Sequence, residues 1–377
     1  GEIPFRTSFL NRVKILSDIS VAEVNQVVSE IPLNPYIAEF IEQNRDRCYV
    51  VTGNLDVWIS GLMKKLKMEN HCYCSKADVI NDRISKVVSV ADKELMVRQF
   101  VQPMVVIGDG DNDSGMARMA DIAIGFGGVR PIAQSLLRNA DFAFYEEMRG
   151  ISVEIAVGGQ SMSFDKKDIT VIICCAGMGT RLGIGTTKAL VDIAGEPLII
   201  RELKLLREFD DIRVVVGFDA ERVISVVKQF RSDIMFVCNY EYEHNGPADS
   251  VKKALLGARK YVITLDGDTV INPDDFKRFV DFSGECIAVT ENASDETIGS
   301  SVQDGKVIAL SKKAGNMQWS GIAKVHKSKL YGDSSHLYEV LAPYLPMTAF
   351  SMRLKEINIP KDYESAIDWV SAGMREE

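Results

Sequence analysis

The stretch Ile169–Ile173 and the loop that follows it constrain this chain more than any other. Ile169-Thr170-Val171-Ile172-Ile173 is β-branched throughout, the pattern of a strand covered on both faces of a parallel sheet. It runs straight into Cys174-Cys175-Ala176-Gly177-Met178-Gly179-Thr180-Arg181-Leu182-Gly183-Ile184-Gly185-Thr186-Thr187-Lys188. Glycines let the backbone turn tightly and approach a ligand, so that its N–H groups can face phosphate oxygens. Arg181 and Lys188 add positive charge to the same loop. A strand, a glycine loop and two cations together describe a polyphosphate site in an α/β fold.

The spacing is G-x-G-x-R, not the dinucleotide G-x-G-x-x-G, and no Gly-Lys-Ser/Thr closes it as in a P-loop. Read on through Ala189-Leu190-Val191-Asp192-Ile193-Ala194-Gly195-Glu196-Pro197-Leu198, the segment resembles the signature of nucleotidyltransferases. These join a nucleoside monophosphate to a phosphorylated alcohol or sugar and release pyrophosphate. The resemblance implies that Ala176, Gly177, Gly179 and Thr180 bind the nucleotide and that Arg181 and Lys188 are catalytic. The family's Pro-Lys pair reads Thr187-Lys188 here, which keeps the lysine and gives up proline's rigidity.

At 377 residues the chain exceeds one ordinary core, and two domains are expected. Hydrophobic residues make up 46% and charged residues 26%, a globular balance. A formal charge of -9 argues against a nucleic-acid groove and against an acidic membrane surface. No apolar run reaches membrane-spanning length, and no secretory leader is visible, so the cytoplasm is the expected location. The seven cysteines lie mostly in apolar segments and read as reduced thiols; Cys72, Cys74 and His71 lack the second ligand pair of a zinc site.

In the first half, Phe5–Leu16 has helical spacing, and Pro32 and Pro35 precede a second helix near 36–44. Strands are expected at 48–51, 104–107, 122–126 and 142–144. The first of these ends in Thr52-Gly53-Asn54, a hydroxyl beside a glycine where a parallel strand can contact phosphate. The second ends in Gly108-Asp109-Gly110-Asp111-Asn112-Asp113, where crowded carboxylates repel one another and a Mg²⁺ ion would relieve the repulsion. These segments resemble the haloacid-dehalogenase superfamily, and within it phosphoserine phosphatases, over residues 1 to about 145. The resemblance implies metal binding by Asp109 and Asp113, phosphate binding by Thr52, Gly53 and Asn54, a catalytic Lys93, and substrate contacts from Arg12 and Phe5 on a cap helix. The family's nucleophile is the first aspartate of an Asp-x-Asp motif on an upstream strand, and none precedes Thr52. We therefore expect a longer natural protein to supply it, and this half to show no phosphatase turnover without it.

The second half continues as alternating helices and strands. Asn245-Gly246-Pro247-Ala248-Asp249-Ser250-Val251 resembles a base-contact segment, which makes Ser250 a nucleotide contact; Asp249 and Ser250 are equally good helix caps. The strand Tyr261–Leu265 ends in Asp266-Gly267-Asp268, and Asp268 is the expected Mg²⁺ ligand. The resemblance implies a second ligand in Glu356-Ile357-Asn358-Ile359-Pro360-Lys361-Asp362. Asn358 stands where the family usually has aspartate, and a carboxylate there should serve equally well.

The expected architecture is α/β with two Rossmann-like three-layer domains. A haloacid-dehalogenase-like domain with a helical cap remnant spans 1–155, a Gly- and Ser-containing linker 156–167, and a nucleotidyltransferase domain with a mixed sheet 168–377. The expected activity is a bifunctional one. The C-terminal half would move CMP from CTP, or the equivalent group from another NTP, to a small phosphorylated acceptor, while the N-terminal half would be a Mg²⁺-dependent phosphomonoesterase. The alternatives are a nucleotidyltransferase with a dead docking or regulatory domain, and a nucleotide-binding regulator. Nothing in the sequence fixes the oligomeric state.

Overall fold

The computed structural model describes residues 4–128, 130–145, 166–183, 185–291, 294, 297–313 and 315–374. The chain is mixed α/β and divides into two compact units, one over residues 4–140 and one over 141–145 and 166–374. The expected linker lies almost wholly outside the described residues.

The first unit opens with three helices, Phe5–Leu16, Val21–Glu30 and Pro35–Asn44. Asn34 caps the third, its Oδ1 accepting from the N–H groups of Tyr36 and Ile37, with Pro35 in the first turn. The sequence reading missed the second helix, whose cap is Ser20. Strand β1 (Val50–Leu55) pairs in parallel with β2 (Cys72–Ile80), which turns through Asn81-Asp82 into antiparallel β3 (Arg83–Ser89). Both turn residues have positive φ, as a tight hairpin requires. Strands β4 (Val105–Gly108) and β5 (Ile122–Phe126) form a parallel pair. The helix Asp56–Leu66 and the hairpin enclose Phe9, Val13, Val21, Leu55 and Trp58.

The second unit contains β6 (Phe142–Phe144), β7 (Ile169–Cys174), β8 (Ile212–Val216), β9 (Met235–Cys238), β10 (Tyr261–Asp266), β11 (Thr269–Ile271), β12 (Cys286–Val289), β13 (Ile298–Gln303), β14 (Lys306–Ser311), β15 (Met317–Trp319), β16 (Ala323–His326), β17 (Met347–Ser351) and β18 (Leu354–Glu356). Its main sheet runs β15-β13-β14-β17-β12-β16-β10-β7-β8-β9-β6. Although β6 was read from the sequence with the first domain, it is buried against β9 and pairs with it antiparallel.

Strands β10, β7, β8 and β9 are parallel, and their sequences, apolar for the most part apart from Arg213 in β8 and Asp266 at the end of β10, are buried. The chain goes from β7 outward to β8 and β9, then returns to the other side of β7 as β10. The strand order therefore reverses between β7 and β10, where a parallel sheet opens a crevice at its carboxyl end. Register pairs Asp266 with Cys174 across that point.

A smaller antiparallel ladder, β11 with β18, sits beside the crevice and pairs Thr269 with Glu356. Among the described residues no helix is long and apolar enough to cross a membrane.

Candidate active site

The phosphate-type loop leaves β7 at Cys174 and is held from both ends. Gly179 and Gly183, at φ 61° and 70°, bracket a short turn over Thr180–Leu182. Those left-handed dihedrals are what require glycine there. Leu182 turns inward and packs with Val191, Ile193, Leu198, Val270, Ile357 and Ala366, a burial worth about 2 kcal/mol. Its neighbour Arg181 stays exposed.

Thr187 is buried, and its φ of -65° is the value proline would impose. Its hydroxyl donates to the Cys175 carbonyl at 3.3 Å. The loop thus keeps a proline-like backbone without proline.

Asp268 follows β10 directly. The segment that must meet it is far away in sequence, and the β11–β18 ladder brings it in. The Ile357 N–H donates to the Asp268 carbonyl at 2.9 Å, placing Asn358 alongside. Lys188 Nζ then donates to Asp268 Oδ2 at 2.8 Å and to Asn358 Oδ1 at 2.7 Å. Arg181 Nη2 donates to the same Asn358 oxygen at 3.0 Å. Four sequence-selected residues therefore meet at one point.

By residue type Asp362 would serve as the N-cap of the last helix. It instead occupies the third position of the helix Pro360–Ser371, and its Oδ2 accepts from the N–H groups of Asn358 and Ile359 and from Ser294 Oγ. Pro360 takes the first helical position, which shifts the cap back to Ile359.

Three further carboxyl groups surround this centre, and two of them, Glu202 and Glu356, carried no expected role. Asp266 is pushed well above the usual carboxylate range by burial, then by the charges of Asp268 and Glu356, with Lys188 opposing. Burial raises Glu202 in the same direction, with Asp268 and Asp266 adding to it. Glu356 is raised first by burial and then by Asp268; Thr297 and Asn358 hydrogen bonds oppose the shift. Gly321 lies against this group, for a Cβ there would fall 2.1 Å from Asp266 Oδ2.

Two oxygens, Asp268 Oδ2 and Asn358 Oδ1, converge on one cation, the Lys188 ammonium. A Mg²⁺ ion fits such a donor set, because it commonly takes one or two protein oxygens and completes its shell with water and phosphate. Among the described residues no three His, Cys, Asp or Glu side chains gather as a metal site.

Ser250 lies in the helix Pro247–Ala254, 5% exposed, and accepts from Asn239 Nδ2 at 3.0 Å. The Asn239 carbonyl and the Ala176 carbonyl flank Gly217, where a Cβ would approach them at 2.6 and 2.9 Å. Ser250 thus stands behind Asn239, not on an open wall. Asp249 caps this helix from its third position, accepting from the Gly246 N–H at 2.9 Å.

In the first unit, Lys93 Nζ and Asp113 Oδ1 form an ion pair at 2.5 Å. Asp113 Oδ2 also accepts from the N–H groups of Asp109 and Gly110. Asp109 pairs with Arg130, whose Nε and Nη2 lie at 2.6 and 3.0 Å; the sequence reading did not mark Arg130. Ser75 Oγ links the Gly53 carbonyl to the Ala91 N–H, which ties the Thr52-Gly53-Asn54 turn to the approach to Lys93. Phe5 packs against Gly53, where a Cβ would lie 2.5 Å from its ring. Arg12 is exposed, and its Nε donates to the Ser8 carbonyl within its own helix.

Residues 171–319 match the MobA-like NTP transferase domain. The C-terminal half thus carries a nucleotidyltransferase domain, and both the loop and Asp268 fall within the matched segment. The bifunctional protein GlmU of Campylobacter curvus (strain 525.92) is 28% identical over 112 residues, covering 29% of this chain and 26% of its own length. The GlmU protein of Neisseria meningitidis serogroup C (strain 053442) is 30% identical over 144 residues, 36% of this chain and 30% of its own. The chain thus spans less than a third of the length of these curated relatives. Among solved structures, the transferase domain is similar to the inositol-1-phosphate CTP transferase from T. maritima, at 18% identity and a TM-score of 0.46, covering 55% of this chain and 98% of that one. It is also similar to the CTP:phosphocholine cytidylyltransferase LicC from Streptococcus pneumoniae, at 23% identity and a TM-score of 0.44, covering 54% and 99%.

Proposed function

We propose that the C-terminal half transfers CMP from CTP to a small phosphorylated alcohol, phosphonate or sugar phosphate. The observation that carries this reading is the meeting of Lys188, Arg181, Asp268 and Asn358 at the mouth of the β7–β10 crevice. A phosphate oxygen of the acceptor attacks the α-phosphorus in line. The bond from that phosphorus to the bridging α–β oxygen breaks, and pyrophosphate leaves with the electron pair. No covalent enzyme intermediate is needed, so the work is positioning and charge stabilisation.

The loop amides and Arg181 bind the triphosphate. Lys188 swings from Asp268 onto phosphate oxygens as charge builds on them. Asp268 and Asn358 would hold a Mg²⁺ ion, which would neutralise phosphate charge when bound. Ser250 acts through Asn239 on the base side. The preference for CTP rests on the sequence Arg181-Leu182-Gly183 with Lys188-Ala189-Leu190-Val191, which resembles phosphocholine and related cytidylyltransferases.

For the N-terminal half we propose a Mg²⁺-dependent phosphomonoesterase of haloacid-dehalogenase type, a chemistry that requires a nucleophilic aspartate. Its support is the joined cluster of Lys93, Asp113 and Asp109 near the Thr52 turn. A docking or regulatory role for this half is the alternative.

The test is pyrophosphate release from CTP, UTP, GTP and ATP in turn, with a panel of phosphorylated acceptors. Acceptor-dependent release, fastest with CTP, is expected. Nucleotide binding without release for every acceptor would favour a regulator.

A further inference from the structure

Asn358 is 1% exposed, and both ends of its amide are engaged. Its Oδ1 accepts from Lys188 Nζ at 2.7 Å and Arg181 Nη2 at 3.0 Å. Its Nδ2 donates to Glu356 Oε1 at 2.7 Å, with Ser294 Oγ at 3.5 Å. The backbone of Asn358 is pinned by Asp362, and Glu356 is pinned by its register opposite Thr269. The second oxygen of Glu356 accepts from Thr297 Oγ1 at 2.5 Å.

A side chain here must therefore accept on one branch and donate on the other. A neutral amide does both, and a carboxylate does not. The network also fixes which way the amide points. Flipped, it would set an NH₂ group against two cations and a carbonyl against a carboxyl.

We infer that Glu356 is the positioning residue that turns the Asn358 carbonyl toward the reacting phosphates and makes asparagine the productive choice at this position. This inference rests on the nucleotidyltransferase site proposed above. An aspartate at position 358 would place an acceptor 2.7 Å from the Glu356 acceptor, and it would turn away. The expectation from the sequence, that a carboxylate would serve as well, is thereby reversed for this chain. Replacing Glu356 with glutamine changes the situation. The new amide group can rotate to donate to the carboxylate that N358D introduces, while its oxygen accepts from Thr297.

The experiment compares the full chain with N358A, N358D, E356Q and the double variant N358D/E356Q. Two quantities are read: acceptor-dependent pyrophosphate release, split into kcat and KM, and Mn²⁺ affinity by calorimetry with a non-reactive CTP analogue bound. Melting temperatures check that each variant is folded, and the two isosteric changes keep the side-chain volume. N358D should lose about 10- to 100-fold in kcat and in Mn²⁺ affinity, the scale for disturbing a partner behind a metal ligand. E356Q alone should lose less, and the double variant should recover most of the N358D loss in both readouts. N358D equal to the unmodified chain, or a double variant no better than N358D, would overturn the inference. N358A equal to the unmodified chain in both readouts would instead remove Asn358 from the site, which is a failure of the proposed function itself.

Discussion

Lys188 Nζ sits 2.8 Å from Asp268 Oδ2, on the spot where a divalent ion would use that oxygen. The ammonium and the ion cannot share it. Metal should therefore enter with the nucleotide, whose phosphates draw Lys188 away, and should bind weakly without it. Lys188→Met is expected to tighten Mn²⁺ binding to the nucleotide-free protein while lowering turnover by roughly two to three orders of magnitude. Mn²⁺ titration followed by electron paramagnetic resonance checks this. Tight Mn²⁺ binding by the unmodified, nucleotide-free chain would contradict it.

Asp268→Ala should abolish transfer and leave the melting temperature close to that of the unmodified chain. Asp268 lies half-buried after β10, outside the packed core, so its loss is chiefly one of charge at the reacting centre. Retained turnover at saturating Mg²⁺ would exclude it from the site.

Arg181→Ala should cost about 10²- to 10³-fold in turnover, and Arg181→Lys should recover little of it. Arginine can hold Asn358 with one arm and phosphate with the others, whereas an ammonium offers a single point of charge. A lysine variant with normal kcat would mean that only net positive charge matters at this position.

Thr187→Pro should be tolerated. The backbone already holds φ -65°, so proline would restrict only the unfolded chain, a gain of about 0.4–1 kcal/mol. The lost hydroxyl bond to Cys175 offsets part of this. Denaturant midpoints and pyrophosphate release should both stay close to those of the unmodified chain. A collapse of activity would show that the Thr187 hydroxyl is required.

Asp275 is 2% exposed and is held well below the usual carboxylate range, first by the Arg353 side chain. Both its oxygens accept from the Arg353 guanidinium, at 2.8 and 2.9 Å. Because the folded-state value is depressed, this stabilisation is complete above the unfolded value of about 4 and is lost as pH falls toward the folded one. Asp275→Asn should cost about 3 kcal/mol at pH 7 and nearly as much at pH 5, with the gap closing below about pH 4. Urea unfolding at pH 7, 5 and 3 measures it. A gap unchanged at pH 3 would assign the loss to packing.

Local chemistry made much of this readable beforehand. The β-branched run of β7 and the loop after it could be placed because strand and turn both announce themselves within a few residues. The β2–β3 hairpin was not legible, since its strands are largely exposed and carry no clean alternation; the helix Val21–Glu30 was legible in Val21, Val24 and Val28 behind the Ser20 cap but was missed. Asn358 could be selected by pattern, but what it touches could not, because the β11–β18 ladder is a pairing between distant segments. In sequence Glu356 is simply a charged residue between Lys355 and Ile357. Its role depends on pointing inward at an amide, which no spacing reveals.

Lys188 and Asn358 are 170 positions apart in the chain. Leu182 in the glycine loop packs on Ile357 and Ala366, so the loop and its far partner both wait for the same long stretch of chain to close, a slow event in folding. During refolding, nucleotide affinity and turnover should therefore return together, in the phase set by the docking of β18 onto β11.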